Sequence, residues 1–123
     1  MELRSDSPFW ALIGGGVEMD ESAVDAVTRE VREETGLTAK EVQLFGVFSD
    51  PSRIASYPDG NVFRLVTIAY HVSVADTVGI RPSHESSEVR FHPLNTLTAM
   101  NVAPTHSHIL ERYLTDKNGV VCE

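Results

Sequence analysis

Seven acidic residues crowd one short segment of the chain, GGGVEMDESAVDAVTREVREETGL, which runs from Gly14 to Leu37. Only two arginines accompany them, so the segment carries most of the excess negative charge of a chain whose formal net charge is −8. Glu30, Glu33 and Glu34 stand at the i, i+3 and i+4 spacing that makes side chains neighbours on a helix. Because like charges at this spacing destabilise a helix, the functional interpretation of the segment is a cation site.

A hard divalent cation is the ion that such a cluster predicts. Carboxylate oxygens favour Mg²⁺ or Mn²⁺ over zinc, and Mg²⁺ commonly shares its shell with the phosphates of a substrate. A free carbonyl of the glycine turn that precedes the acids would add another oxygen. The alternative interpretation is a solvated helix face that holds no ion, and the spacing alone gives the two interpretations equal weight.

A helix must position these acids. It is predicted to begin near Glu21 or Ser22 and to end at Thr35, since Gly36 favours the left-handed conformation that commonly ends helices. No proline interrupts the helix. The spacing therefore predicts one continuous helix under the acidic ridge.

One face of the predicted helix is apolar. Val24, Val27 and Val31 recur at helical spacing and predict a buried stripe. Glu34 falls beside Val27 on the same helical wheel, and Glu30 lies slightly further round. The acids of the ridge are therefore expected to crowd toward the apolar edge of the helix.

Short apolar runs predict the other elements. The predicted strands are residues 9–13, 41–49, 61–74 and 88–92, and Pro104 begins a second helix. Residues 1–8 are polar and are predicted to form a flexible N-terminus. The connection between the second and third strands is long enough to favour a functional loop, and its Pro58-Asp59-Gly60 triplet predicts a turn. No linker or repeat divides the chain, so residues 1–123 are predicted to be a single domain.

Composition argues against several classes of protein. The 123 residues are 41% hydrophobic and 23% charged, which is typical of a globular domain. No apolar run approaches the roughly 18 residues of a membrane span, and a signal-peptide pattern is missing. We therefore expect a cytoplasmic protein with no membrane partner. The net charge of −8 argues against nucleic acid as a partner, because such binding needs a basic surface.

The acidic segment resembles the signature of the Nudix hydrolase family, G-x5-E-x7-R-E-U-x-E-E-x-G-U, in which U is a bulky aliphatic residue. Residues 15–37 fill this signature at every position. The matching residues are Gly15, Glu21, Arg29, Glu30, Val31, Glu33, Glu34, Gly36 and Leu37. The stretch WALIGG before them is similar to the Trp-x-Leu-Pro-Gly-Gly of many members, and the likeness extends to about Leu114. The resemblance implies an α/β fold, an α/β/α sandwich with a mixed sheet between helices.

The resemblance also implies an enzyme that uses Mg²⁺ or Mn²⁺ to hydrolyse a phosphoanhydride bond in a nucleoside diphosphate linked to another moiety. In that reading Glu30 and Glu34 are the main metal ligands. The backbone carbonyl of Gly14 completes the shell. Glu33 is a further ligand or a base that orients water.

Supporting roles follow from the same resemblance. Arg29 would orient the acidic ridge by salt bridges, and Glu21 would anchor the glycine loop to the helix. Family members often take a general base from a loop outside the signature, and Glu85 and Glu88 are the candidates here. Ordinary solvation of the loop is the alternative for both, slightly favoured for Glu85 and evenly balanced for Glu88.

Contacts to a base, sugar or phosphate are less well defined by the sequence. The substrate-binding candidates are Phe48, Tyr57, Asp59 and Arg64. A core aromatic and a turn explain Phe48, Tyr57 and Asp59 more readily, and a lone arginine such as Arg64 is more often structural or solvated. His106 and His108 are predicted to be surface residues. The identity of the substrate stays open among ADP-ribose, a dinucleoside polyphosphate, a nucleotide sugar and an oxidised nucleoside triphosphate.

The start of the chain departs from the family pattern. Only nine residues precede Trp10, whereas the resemblance implies a strand or two before that point. We therefore expect a sheet without its usual first strand or strands, whose edge a second copy of the chain covers as a homodimer or by strand exchange. A monodisperse monomer with a full sheet in solution scattering would contradict this expectation.

Two other functions share the same fold and stay open at this point. One is a catalytically weak or inactive module that binds a nucleotide or a protein. The other is an isomerase that acts on a diphosphate, which no feature outside the shared signature supports. Fold does not decide between these functions. Measured turnover of nucleoside diphosphate derivatives is needed to distinguish them.

Overall fold

The computed structural model describes residues 1–116 and 118–123. The elements follow one another as β1 (Glu2–Arg4), β2 (Trp10–Ala11), α1 (Ala23–Thr35), β3 (Ala39–Phe48), β4 (Ile54–Ser56), β5 (Val62–Arg64), β6 (Thr67–Val74), β7 (Ser86–Val89), a 3₁₀ helix (Leu94–Ala99), α2 (Pro104–Asp116) and β8 (Val121–Cys122). This mixture of sheets and helices is the predicted α/β class. In the part of the chain described, neither helix has the length and apolar character that crossing a membrane requires.

The strands form three small sheets. β1 lies between β2 and β7 and runs antiparallel to both. β3 lies between β6, which is antiparallel to it, and β8, which is parallel. β4 and β5 pair as a separate hairpin. In the first sheet Glu2 is opposite both Ala11 and Val89, so this residue occupies a central position.

The main apolar cluster joins the second sheet to α2. Phe45 and Phe48 of β3 pack with Ile109 of α2 and Val121 of β8. Phe48 is the largest side chain that is fully buried, with 1% of its surface exposed. Burial of this aromatic pair fixes α2 against the sheet, since large apolar side chains supply most of the favourable free energy of packing.

The prediction that residues 1–8 are flexible is wrong for residues 2–4, which form β1. The backbone N–H of Arg90 donates to the carbonyl of Met1 over 3.1 Å, and the chain continues into the ladder with β7. Long-range pairing of backbone groups holds this segment, and a strand of three residues is too short to show alternation in the sequence. The expectation that the sheet lacks usual first strands stays a prediction.

The predicted strand over residues 61–74 is two strands. β5 and β6 are separated at residues 65 and 66, and β5 pairs with β4 inside the connection that was predicted to be a loop. The turn predicted at Pro58-Asp59-Gly60 is present: Gly60 has a φ of 89°, and the Asp59 carboxylate accepts a hydrogen bond from the Asn61 N–H over 2.9 Å. β2, β3 and β7 lie within a few residues of the predicted strands.

Local sequence sets both ends of α1. The Ser22 hydroxyl accepts a hydrogen bond from the Asp25 N–H, and the Asp25 carboxylate accepts one from the Ser22 N–H, each over 3.1 Å. This reciprocal pair is a capping box. Gly36 closes the helix with a φ of 74°, a left-handed conformation that glycine adopts without strain. The helix therefore has the predicted bounds.

The buried face of α1 differs in part from the predicted valine stripe. Val31 is buried, but 45% of the surface of Val24 is exposed, and Ala26 is buried instead. The helix packs against β3 and β7, and Ala26 is among its buried residues. Glu34, which was predicted at the edge of the apolar face, is buried as well, with 6% of its surface exposed. The helix is therefore rotated slightly about its axis relative to the prediction.

Candidate functional site

Arg29 organises three carboxylates on one side of α1. Its guanidinium donates to both oxygens of Glu21 over 2.7 and 3.0 Å, to Glu30 over 2.9 Å and to Glu33 over 3.1 Å. It also donates to the backbone carbonyl of Gly16 over 3.2 Å. Arg29 therefore forms salt bridges with the acidic ridge and with Glu21.

Hydrogen bonds from Arg29 lower the pKa of Glu21, and the acids around it raise the pKa of Arg29. Glu21 also accepts a hydrogen bond from the Glu18 N–H over 2.9 Å, which ties the helix to the segment that follows the glycines. The contacts of Arg29 and Glu21 are those expected of residues that position the acidic ridge. Their roles in function stay predictions.

Glu34 occupies a different environment on the same helix. Its side chain is buried, and its Oε2 atom accepts a hydrogen bond from the Gly14 N–H over 2.9 Å. Burial raises the pKa of Glu34 to about 8, and the nearby charges of Glu2 and Glu30 act in the same direction. A buried carboxyl that lies among other acids favours its protonated form unless a cation is added.

Glu2 is a buried acid near the site that was not among the residues predicted from the sequence. This residue of β1 is 2% exposed, burial raises its pKa, and its Oε2 atom has no hydrogen-bond partner among the described residues. Glu2 lies next to Glu34: a hydrogen bond from Glu34 lowers the pKa of Glu2, and the charge of Glu2 raises the pKa of Glu34. The family resemblance implies a strand before Trp10. Assigning residues 2–4 to that strand would have placed Glu2 in the sheet.

The glycine loop and the acids fit closely together. The Glu30 carboxylate lies directly against Gly15, so a Cβ atom at position 15 would collide with it. Gly14 is bound to Glu34, and Gly16 is bound to Arg29. Glycine is therefore required at position 15 by close approach of a side chain, in addition to any need for backbone freedom.

The donor set fits a hard divalent ion in its chemistry. It consists of carboxylate oxygens and backbone carbonyls. The buried acids Glu2 and Glu34 lie near each other, the Oε2 atom of Glu2 has no hydrogen-bond partner among the described residues, and Arg4 lies 3.9 Å from Glu2. Within residues 1–116 and 118–123, however, no three acidic, histidine or cysteine side chains already converge on one point. Arg29 engages Glu30 and Glu33, so an ion would compete with the guanidinium for these two carboxylates.

The two candidates for a general base differ in their contacts. Glu88 forms an ion pair with Arg90 over 3.2 Å, and it pairs with Leu3 in the first sheet. Glu85 is exposed, and its charge lies near enough to raise the pKa of Glu2. The structure thus places the charge of Glu85 near the buried acids, while Glu88 is compensated. Both roles stay predictions.

The substrate-binding candidates are dispersed over three environments. Phe48 is a core residue, although it also borders a cavity of about 540 Å³. Tyr57 stacks edge-to-face on Phe63 in the β4–β5 hairpin, and Asp59 holds the turn of that hairpin. Arg64 donates to the carbonyl of Ser49 over 2.8 Å. The contacts of Tyr57 and Asp59 are therefore those of a hairpin, and their binding roles stay predictions.

The cavity that Phe48 borders contains a residue with unused bonding capacity. Arg53 is 8% exposed and donates from Nη2 to the Thr67 hydroxyl over 2.9 Å, while its Nε atom has no partner among the described residues. Thr105 and His108, from the start of α2, also line this cavity. A buried arginine with a free N–H is suited to an anionic or hydrogen-bond-accepting group.

His106 connects this cavity region to the segment that leads into the glycines. The prediction that His106 is a surface residue is wrong: its Nδ1 atom accepts a hydrogen bond from the Leu12 N–H over 3.0 Å, and burial lowers its pKa. A neutral imidazole is required for this contact, because a protonated ring has no acceptor. His108 is exposed and forms an ion pair with Glu123 over 2.6 Å, in agreement with the prediction.

Comparison with known sequences gives consistent matches. A family profile described as NUDIX domain matches residues 2–113. The chain is 37% identical over 121 residues to an ADP-ribose pyrophosphatase of Methanocaldococcus jannaschii, a match that covers 94% of this chain and 65% of that protein. It is 32% identical over 108 residues to a Bacillus subtilis protein described as the uncharacterized Nudix hydrolase YvcI, covering 84% of this chain and 63% of that protein. The chain thus spans just under two thirds of the length of these relatives.

Solved structures share the fold. A Nudix hydrolase from M. smegmatis, RenU, superposes with a TM-score of 0.66 at 18% identity, over 98% of this chain and 76% of that one. The E. coli ORF135 protein superposes with a TM-score of 0.65 at 24% identity, over 89% of this chain and 71% of that one. At these identities the likeness concerns the fold alone.

Proposed function

The chain belongs to the NUDIX domain family, and on that premise we propose that it hydrolyses a phosphoanhydride bond in a nucleoside diphosphate linked to another moiety. The observation that carries this proposal is the position of Glu34. Its buried carboxylate is tied to the glycine loop at Gly14 and lies beside Glu30, which in turn contacts Gly15. Two acids of the signature thus contact the glycine loop, Glu34 at Gly14 and Glu30 at Gly15.

Mg²⁺ or Mn²⁺ is the cofactor that these oxygens suit, and we propose Glu30, Glu33, Glu34 and the carbonyl of Gly14 as the residues that hold it. When bound, such an ion neutralises phosphate oxygens and acidifies the attacking water. The chain itself contributes the positioning: Arg29 holds Glu30 and Glu33 in reach of the glycine loop, and Glu21 holds Arg29. Glu85 is the proposed acceptor of a proton from water.

ADP-ribose is the first substrate to test. The relative that is 37% identical carries the name ADP-ribose pyrophosphatase. In this chain the cavity with Arg53 offers a buried cation beside the start of α2, and His106 ties α2 to the segment that enters the glycine loop. We propose that the part of the substrate distant from the cleaved bond occupies this cavity. A cytoplasmic location, a homodimeric state and the absence of nucleic acid and membrane partners stay proposals as well.

Turnover of a substrate panel tests the proposal. Purified protein with Mg²⁺ or Mn²⁺ is incubated with ADP-ribose, a nucleotide sugar, a dinucleoside polyphosphate and 8-oxo-dGTP, and release of nucleoside monophosphate is measured by chromatography. We expect turnover of at least one compound. Glu34→Gln should lower kcat by on the order of 10²–10⁴-fold, because a metal ion contributes several kcal/mol of transition-state stabilisation.

The control is Glu41→Gln, which removes an exposed carboxylate of β3 and should leave kcat unchanged. Wild-type turnover no greater than that of Glu34→Gln on every compound and with either ion would overturn the enzyme proposal. Binding of the same nucleotides without turnover would then support the alternative of a nucleotide-binding module.

A further inference from the structure

Glu2 is a buried acid that the fold leaves incompletely bonded. Its side chain is 3% exposed, and its Oε2 atom has no hydrogen-bond partner among the described residues. The nearest cation to its other oxygen is Arg4, at 3.9 Å, and Arg4 is committed to Asp6 through two contacts of 2.9 and 3.0 Å. Ser86 and Glu34 lie in hydrogen-bonding reach of this carboxyl and lower its pKa, but burial outweighs them. Because burying a carboxylate with an unbonded oxygen carries a large desolvation cost, a cation beside it would stabilise the arrangement.

The surroundings of Glu2 indicate the chemistry of that partner. Glu2 lies at the centre of the first sheet, where β1 pairs with both β2 and β7. The neighbouring acid is Glu34, whose carboxylate is bound to the glycine loop through the Gly14 N–H. Ser86, which pairs with Arg4 of β1, is also buried and lies in hydrogen-bonding reach of Glu2. Carboxylate oxygens from β1 and α1 thus lie close together, and oxygen ligands are those of a hard cation.

We propose that Glu2 is a further ligand of the divalent ion, which contributes a carboxylate oxygen from β1 beside Glu34. This inference rests on the proposed function, in which Glu34 is a ligand. Glu2 lies outside residues 15–37, so the signature does not include it. The ion would then be held between strand β1 and helix α1, and it would compensate two buried carboxylates that Arg29 does not contact.

Direct measurement of Mn²⁺ binding tests the role of Glu2 without any assay of activity. Free Mn²⁺ is followed by electron paramagnetic resonance while the purified chain is titrated, and the melting temperature is recorded with EDTA and with Mn²⁺. Glu2→Gln keeps the size of the side chain and removes the charge. It should raise the Kd for Mn²⁺ by about tenfold or more. The metal-free variant should melt at the same temperature as the wild type or higher, because a buried charge is removed.

Ser87→Ala is the matched control, since it removes an exposed hydroxyl that donates to the Leu3 carbonyl of the same strand over 3.3 Å and changes no charge. It should leave the Kd for Mn²⁺ within about threefold of wild type. If Glu2→Gln does not fold, Glu2→Asp replaces it: the charge is kept but the carboxylate is withdrawn by one methylene, and the Kd should again rise by more than about threefold.

A Kd for the Glu2 variant that stays within about threefold of wild type would overturn the inference, and Glu2 would then be a structural acid that shares a proton with its neighbours. Glu34→Gln separates the two proposals. If Glu34→Gln loses Mn²⁺ binding and Glu2→Gln does not, only the inference about Glu2 fails. If Glu34→Gln binds Mn²⁺ as the wild type does, the assignment of both residues as ligands fails, whereas the proposed function fails only if the wild type does not turn over any compound of the panel.

Discussion

Helix α1 presents its acids to two different environments. On one side Glu21, Glu30 and Glu33 surround Arg29, and each makes a contact of 3.1 Å or less with the guanidinium. On the other side Glu34 lies buried beside Glu2, with one backbone N–H to compensate it. Among the described residues, only the first group has an arginine in hydrogen-bond contact, because the nearest cation of the second group is Arg4, 3.9 Å from Glu2.

The difference shows which charges the fold neutralises by itself. The pKa of Glu21 is lowered because Arg29 donates to it, whereas burial raises the pKa of Glu34 to about 8. An acid with a lowered pKa stabilises the fold when it is ionised, and an acid with a raised pKa destabilises it when it is ionised. The carboxylates around Arg29 are therefore neutralised without a metal ion. A divalent ion bound beside Glu34 should instead raise the stability of the protein.

Removal of Arg29 should have the largest effect on the metal-free protein. Arg29→Met leaves three acids without their shared cation, so we expect the melting temperature in EDTA to fall by roughly 5–10 °C. Mn²⁺ should recover part of this loss, because the ion can replace the missing positive charge near Glu30. Scanning calorimetry with and without Mn²⁺ measures both effects.

Arg32→Met is the control for that change. Arg32 is an exposed residue of the same helix whose only side-chain contact among those described is with the Thr38 hydroxyl, at 2.8 Å. Its replacement should alter the melting temperature by no more than about 2 °C. Equal losses for the two variants would show that Arg29 does no more than an ordinary surface arginine.

The pH dependence of stability should reveal the raised pKa of Glu34, which lies on the other side of α1 from Arg29. Between the ordinary pKa of 4.5 and the folded value of about 8, the folded protein retains a proton on Glu34 that the unfolded chain releases. Stability of the metal-free protein should therefore fall as pH rises through this window, and the loss should be complete above it. The raised pKa of Glu2 acts in the same direction.

Glu34→Gln should flatten this dependence and raise the melting temperature in EDTA at pH 9 by roughly 5 °C, with little change at pH 4.5. Glu41→Gln, at an exposed position, should leave the wild-type curve unchanged. Melting curves of wild type and Glu34→Gln that stay parallel from pH 4.5 to pH 9 would contradict the assignment of a raised pKa to Glu34.

The acidic side with Arg29 could be predicted from the sequence because its determinants are local. Helix bounds follow from Ser22 and Gly36, and the contacts of Arg29 follow from residues four positions away or within one loop. Spacing along the helix also predicts that Glu30 and Glu33 are neighbours, and both contact Arg29. Only the exact rotation of the helix was wrong, since it depends on what packs against Ala26.

The side with Glu2 could not be predicted, because it depends on pairing between distant segments. β1 has three residues, which is too few for a periodic signal, and its partners β2 and β7 lie about 8 and more than 80 residues away along the chain. The same holds for His106, whose contact with Leu12 joins segments separated by 94 residues. Burial of an acid or a histidine by such pairing leaves no mark on local hydrophobicity.

The smallest effect on stability is expected at Ser22, the N-cap of α1, which contacts neither the acids around Arg29 nor Glu34. Ser22→Ala removes the hydroxyl that accepts from the Asp25 N–H and should cost about 1 kcal/mol of stability, because the first turn of the helix then has an unsatisfied donor. Ser22→Asp retains an acceptor and should stay within a few tenths of a kcal/mol of wild type. Urea denaturation measures both. The loss should be the same with EDTA and with Mn²⁺, since the cap contacts neither Arg29 nor Glu34. A loss that Mn²⁺ reverses would mean that the cap and the acidic ridge form one coupled unit, and that the two sides of α1 cannot be treated separately.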